Sequence, residues 1–212
     1  MEIDFRALSA YQRYKLMASL IVPRPIALVT TLGPDGVVNA APFSMFNMLG
    51  EDPPIVMISV NRLQDGGQKD TAANIVRERE FVVHLADEAM ARQMHRCGDR
   101  LPPHRSELEH TGLHALPSRS VKPPRIAEAP VAFECTLWET LETESRQIFI
   151  GRLEWLHARD GLVDPVAWRV RLQDYHPVGR FGASFYITTR DRFAITDDEA
   201  AVAPTSTPID EM

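Results

Sequence analysis

Three short segments in the first third of the chain carry residue types suited to holding a small anionic ligand. Lys69-Asp70-Thr71 follows Gly66-Gly67 and opens a stretch that reads as a helix from about Asp70 to Glu78. Asp70 is placed to N-cap that helix and satisfy one orphan amide. The remaining amides, the Thr71 hydroxyl and the Lys69 ammonium then converge where a phosphate is favoured, since a helix N-terminus carries partial positive charge. The two glycines let the backbone approach such a group closely. An ordinary capped surface helix with a solvated lysine accounts for the same residues.

The second segment is Asn39-Ala40-Ala41-Pro42-Phe43-Ser44. Pro42 cannot donate to a sheet ladder, so the strand is expected to end or bulge there. That frees carbonyls and amides around Asn39 and Ala41 for the polar edge of a flat ring, with Ser44 as a donor and Phe43 or Phe46 as a cover. The plainer reading is a strand-end loop whose phenylalanines belong to the core. Ser44 lacks the Gly-x-Ser-x-Gly elbow of a hydrolase nucleophile. The third segment, Ser59, Asn61 and Arg62, closes the apolar run Ile55–Asn61. Arg62 can pair with a phosphate in a bidentate way, or serve as a solvated strand-end charge.

Other chemistries find less support. Cys97, His104, His110 and His114 lie in one proline-rich stretch, and His110-x-x-x-His114 has zinc-like spacing. Gly112 makes that stretch a poor helix, and neither a paired Cys-x-x-Cys nor a glutamate base accompanies it, so no metal is expected. A non-catalytic ligand- or metal-binding protein using this loop is the reading from a different class. His84, inside an apolar strand, is expected to be a hydrogen-bonded interior residue. With no Gly-x-Gly-x-x-Gly and no Walker loop, a nicotinamide nucleotide would not be held by a Rossmann unit.

The elements that must position these residues follow from pattern. The chain has 212 residues with 44% hydrophobic and 25% charged, enough for one full core. Its net charge of −6 argues against a general nucleic-acid binder. No apolar run approaches the ~20 residues of a membrane span. Met1–Leu8 has no signal-peptide core, and Cys97 and Cys135 match no disulfide framework, so a cytoplasmic protein with free thiols is expected.

Ser9 with Gln12 reads as a capping box starting a short helix that Pro23 and Pro25 terminate. Ile26–Thr31 and Val37–Ala41 read as a hairpin around Gly33-Pro34-Asp35-Gly36. Ile55–Asn61 and Phe81–Leu85 read as buried strands, and Glu88–Cys97 as a second helix. Residues 98–130 read as a long functional or partner-contacting loop. Phe133–Leu141 alternates with Glu134 and Thr136 outward, and Ile148–Ala158 with Phe149, Leu153 and Trp155 on one face. Ser184–Thr189 is a last β-like piece before an acidic tail from Asp197 that reads as mobile. The fold class is therefore mainly β, a small barrel with helical additions.

In order and spacing, Pro23-Arg24-Pro25-Ile26-Ala27, Asn39–Ser44, Asp52-Pro53-Pro54 and Lys69-Asp70-Thr71-Ala72-Ala73-Asn74-Ile75 resemble the flavin reductase-like, FMN-binding split-barrel family. The likeness continues through Phe81-Val82-Val83, Gly112-Leu113, Pro123-Pro124-Arg125-Ile126, Glu134-Cys135 and Gly151 to Arg180-Phe181-Gly182 and Tyr186, covering roughly residues 10–190. The resemblance implies a six-stranded split Greek-key β-barrel over residues 20–190, with residues 1–19 packed on it and 191–212 as a tail. It also implies a homodimer with FMN at the subunit interface.

Carried over residue by residue, Asn39, Ala41, Pro42, Phe43 and Ser44 would contact the ring or ribityl chain. Ser59, Asn61, Arg62, Lys69, Asp70 and Thr71 would hold the phosphate and its approach, with Arg180 and Phe181 near the flavin, from the same subunit or from the other. NADH or NADPH would supply hydride, no protein acid or base would be essential, and a separate monooxygenase is an implied partner. An electron carrier of the same fold, reduced by a protein partner, is the alternative. His84 departs from the asparagine common in similar sequences, which predicts an altered ring contact or a response to pH.

Overall fold

The computed structural model describes residues 1–102 and 104–193, so the acidic tail read from Asp197 onward lies outside the described residues. The first half carries α1 (Ala10–Leu20), β1 (Arg24–Pro25), β2 (Ala27–Leu32), β3 (Val38–Phe43), β4 (Phe46–Glu51), β5 (Pro54–Asn61) and α2 (Asp70–Glu78). After β6 (Glu80–Leu85) come α3 (Ala91–Arg96), α4 (Glu107–Thr111), β7 (Ala115–Leu116) and β8 (Arg125–Ile126). The long strands β9 (Val131–Glu142) and β10 (Arg146–Ala158) follow, then β11 (Val163–Asp164), β12 (Arg169–Val170), β13 (Gly179–Arg180) and β14 (Tyr186–Ile187).

Local signals account for most of these boundaries. Ser9 Oγ accepts from the Gln12 amide and the Gln12 side chain accepts from the Ser9 amide, so the capping box starts α1 as read. The β2–β3 hairpin turns through Gly36 at φ +79°, a conformation that favours glycine. Pro42 does not end its strand. It sits in register opposite Leu28 because β3 is an edge strand, where a missing donor costs no ladder bond. The edge is also covered: Glu107, at the start of α4, accepts the Ala40 amide at 2.8 Å.

Seven strands hydrogen-bond in the order β3-β2-β6-β9-β10-β5-β4, one more than the resemblance implies among the described residues. The strand that the sequence reading did not anticipate is β4, which pairs antiparallel with β5. Ala27 and Val29 of β2, Phe43 of β3, Ile58 of β5, Phe81 of β6, Cys135 of β9 and Phe149 of β10 share one buried cluster. The sheet therefore curls with one face inward, and Ala72 and Ile75 of α2 pack into the same cluster. Leu28 and Ala40 point the other way, against Met90, Met94, Leu108 and Ile126. Adjacent residues of β2 thus feed two different cores, which is why this strand reads as a continuous apolar run.

Several expectations change. Residues 88–97 form a 3₁₀ turn, Glu88–Met90, and then α3 rather than one helix. The long stretch after Gly98 contains α4, β7 and β8, and Gly112 ends α4 at φ +71°. Glu134 is fully buried, not outward, and Trp155 is pushed to the surface by a register shift between Leu153 and Trp155. Arg119 then stacks on the Trp155 ring, 4.1 Å from its centroid.

Candidate functional site

Lys69, not Asp70, occupies the N-cap of α2, and its side chain makes no capping hydrogen bond. Asp70 is the first helical residue, where its charge complements the helix dipole. The first-turn amides are therefore left without a side-chain acceptor. Thr71, only 2% exposed, has its hydroxyl oxygen fixed by Asn39, whose Nδ2 donates across 2.9 Å. Having accepted there, the Thr71 hydroxyl keeps its own hydrogen to give.

Cations surround this helix start. Lys69 is half-buried, and burial together with Arg100 and Arg146 lowers its pKa. Burial likewise lowers the pKa of Arg146. Among the described residues neither Lys69, Arg100 nor Arg146 has an acidic partner, and Arg146 only reaches the Ser59 carbonyl at 3.4 Å. The Ser59 hydroxyl, on a residue 5% exposed, has no hydrogen-bond partner. Like charges held together beside free amides and an orphaned hydroxyl need an anion to balance them.

A cavity of about 570 Å³ lies on the other side of β3. Pro42 and Ser44 form part of its wall, with Tyr11, Tyr14 and Lys15 of α1, His95 of α3 and Arg180 and Tyr186 of the β13–β14 hairpin. Its size is that of a small-molecule site. Asp99 lines the cavity and the next residue, Arg100, belongs to the cation cluster, so cavity and cluster adjoin.

The structure thus brings Asn39, Thr71, Lys69 and Ser59 to one end and Pro42, Ser44 and Arg180 to the other. The remaining expected residues lie elsewhere. Phe43 is buried in the core and Phe46 packs against it, so neither side chain covers the cavity. Ala41 packs against the same core. Arg62 pairs with Glu142 at 3.1 Å, and Asn61 is exposed with its amide turned to the Arg62 carbonyl. Phe181 is on the exposed side of the hairpin.

Arg146 stands directly opposite Asn61 across β5–β10 and supplies the charge that Arg62 spends on Glu142. Sequence reasoning missed Arg146 and Arg100 because their nearness to Lys69 depends on strand register and on the end of α3.

His84 is removed from both ends of this site. Its Nδ1–H donates to the Leu28 carbonyl and its Nε2 accepts the Ile126 amide, each at 2.9 Å. Those partners fix the neutral ring, and burial pulls its pKa down to about 4. The expected ring contact is replaced by a structural cross-link. His110 and His114 take separate partners, Asp99 and Glu128.

The flavin reductase like domain family matches residues 17–175. The chain belongs to that family. Among its relatives, the protein YwrF of Bacillus subtilis is 40% identical over 194 residues, covering 89% of this chain and 94% of that one. The crystal structure of Pseudomonas fluorescens 2-nitrobenzoate 2-nitroreductase NbaA is 36% identical with a TM-score of 0.85, over 98% of this chain and 100% of the other. Nitrilotriacetate monooxygenase component B from Bacillus cereus is 31% identical with a TM-score of 0.86, over 92% and 98%. Family and neighbours support a mainly β, flavin-related oxidoreductase of the split-barrel type.

Proposed function

We propose that the chain is an NAD(P)H-dependent flavin reductase that binds FMN, with the phosphate at the start of α2 and the ring beside Pro42 and Ser44. The observation that carries this reading is the uncapped α2 N-terminus among Lys69, Arg100 and Arg146, adjoining a ring-sized cavity. The residues fit the group: the orphaned Ser59 hydroxyl and the free first-turn amides are donors, and the cations match a phosphate dianion.

When bound, FMN would supply the redox chemistry, taking hydride from a nicotinamide nucleotide. The chain's own part is to bind and orient. Lys69 and Arg146 neutralise the phosphate, Thr71 gives a hydrogen bond from a position fixed by Asn39, and Ser44 offers a donor at the cavity wall. Tyr11 and Tyr14 border the opening and limit water. No side chain is assigned an essential proton transfer.

We further propose a homodimer. Helix α1 buries none of its residues and leaves Tyr11, Tyr14, Met17 and Leu20 exposed beside the cavity, a face that a second copy would cover. A separate monooxygenase as consumer of reduced flavin fits the likeness to a monooxygenase component B.

The test is spectroscopic. Purified protein is titrated with FMN and then treated anaerobically with NADH and NADPH in turn. Rapid loss of the oxidised-flavin band with either nucleotide supports the reductase and names its donor. Tight FMN that neither nucleotide reduces makes the chain an electron carrier, and failure to bind FMN removes the reading. Light scattering on the same sample gives the mass of the dimer or the monomer.

A further inference from the structure

His95 of α3 and Tyr186 of β14 meet on the cavity wall, 91 residues apart in sequence. The Tyr186 hydroxyl and His95 Nδ1 share a hydrogen bond of 2.8 Å, and the two rings stand edge to face with centroids 5.7 Å apart. The Tyr186 ring packs against the buried cluster that contains Leu28 and Met94. The Arg180 guanidinium lies over its face, 4.7 Å from the centroid. Core and cation thus fix the phenol ring, so its oxygen has one position and only its hydrogen has a choice.

That choice belongs to His95. Among the described residues the Tyr186 hydroxyl and His95 Nδ1 have only each other as hydrogen-bond partner, and His95 Nε2 has none. His95 is exposed, so solvent protons reach it. A neutral imidazole with its hydrogen on Nε2 accepts the phenol's hydrogen at Nδ1 and leaves the phenol's lone pairs for the cavity. An imidazolium donates from both nitrogens. It gives its Nδ1–H to the phenol oxygen and releases the phenol's own hydrogen to the cavity. Histidine is the side chain that makes this change between about pH 5 and 8. The polar edge of an oxidised flavin offers mainly carbonyl oxygens and unprotonated ring nitrogens, and these acceptors need the second state.

We infer that His95 is a positioning residue acting through Tyr186: the proton it takes from solvent turns the phenol from an acceptor into a donor toward the flavin ring. The ring's share of FMN affinity is therefore coupled to proton uptake and grows as pH falls. The inference rests on the flavin-site reading for the place of the ring beside Pro42 and Ser44.

Other charged groups share this surrounding. Lys15 of α1, Arg24 of β1 and Arg180 of β13 face the same cavity, with the phenols of Tyr11 and Tyr14. Arg92 stands one turn before His95 on α3, and Arg96 turns to His110, which pairs with Asp99 at 3.0 Å. The FMN phosphate itself titrates at about pH 6. All of these are common to the wild type and to His95→Asn, which keeps a short polar side chain with no proton to gain. The ratio of the two dissociation constants cancels them.

FMN dissociation constants are measured by fluorescence quenching for wild type, His95→Asn and His95→Gln at about pH 5.5 and 8, the range over which histidine changes charge. The same comparison is made in a Tyr186→Phe background, which keeps the ring under Arg180. The variant-to-wild-type ratio is expected to rise about fivefold from the higher pH to the lower, the size of one hydrogen bond. It is expected to stay flat in the Tyr186→Phe background. His95 is exposed, and circular dichroism checks the fold of each variant.

A ratio that does not change with pH, in a wild type that binds FMN, overturns the positioning role and leaves the flavin site standing. A ratio that still rises without the phenol hydroxyl shows His95 acting by charge alone and overturns the role as well. A wild type that binds no FMN at either pH removes the flavin reading, and this inference with it.

Discussion

The side-chain amide of Asn39 donates to the Thr71 hydroxyl across 2.9 Å, tying the edge strand β3 to the first turn of α2. The same amide reaches Thr31 at 3.3 Å, and Asn74 reaches Thr31 at 3.0 Å from the helix side. Strand and helix are thereby set relative to each other at the point where the cation cluster meets the wall of the cavity.

Asn39→Ala removes that tie and leaves buried hydroxyls short of a partner. Stability is expected to fall by about 1–3 kcal/mol, read from urea unfolding of the apoprotein. FMN affinity is expected to fall in parallel, because Thr71 is no longer aimed.

Lys69→Ala separates binding from folding. Its ammonium is half-buried beside two arginines, so removing it relieves repulsion in the apoprotein. Apoprotein melting temperature is expected to hold or rise, while FMN binding weakens by about 1.5–3 kcal/mol, or roughly 10- to 100-fold in Kd. An unchanged Kd would exclude Lys69 from the phosphate site.

Ser59→Ala deletes a buried hydroxyl that has no partner. The apoprotein should be no less stable, since an unsatisfied polar group is lost. The extra melting temperature conferred by FMN should shrink, and a full FMN increment in this variant would show that the hydroxyl faces no ligand.

Two buried groups set the acid limit of stability in adjoining windows. His84 has a folded pKa of about 4, below its usual 6.5, so the unfolded chain binds the extra proton between those values. Its contribution is complete above about pH 6.5 and is lost as pH falls toward 4, amounting to about 3 kcal/mol. Burial alone would raise the Glu134 pKa, but the Ser120 hydroxyl, the Arg119 amide, His157 and the Ser120 amide hold it down at about 2. Its contribution is complete above about 4.5 and is lost as pH falls toward 2. His84→Asn should flatten the stability profile between pH 4 and 6.5 only. A slope unchanged in that window would show that another group titrates there.

Gly151→Ala tests the core instead of the site. A Cβ there would lie 2.4 Å from Cζ of Phe81, a ring with no exposed surface. Stability should drop by about 1–3 kcal/mol from overpacking, measured by denaturant midpoint.

Local chemistry was legible wherever the cause was local. The Ser9–Gln12 capping box, the Gly33–Gly36 turn and the Asp70–Glu78 helix depend on neighbours in sequence, and each appears where the residues place it. Pro42 was misread because its effect depends on whether β3 is central or at an edge, which is a property of the whole sheet. Glu134 looked outward because alternation cannot reveal a loop that comes back to solvate a carboxylate. β4 escaped notice because Phe46-Asn47-Met48-Leu49 does not alternate cleanly. The phosphate end was half visible: Lys69 and Thr71 lie in a local motif, whereas Arg146 joins them through pairing with a strand 85 residues earlier, opposite Asn61.

Glu107 reaches across to the Ala40 amide and so occupies an outward-facing donor of the sheet margin. A second polypeptide seeking to extend the sheet at that margin meets an anion and a covering helix in place of a free backbone row. Burial already raises the Glu107 pKa, so mild acid takes away this guard before it unmakes the more strongly held carboxylates. Self-association at β3 is therefore expected to accompany the interior loss that begins at His84 as the solution is acidified.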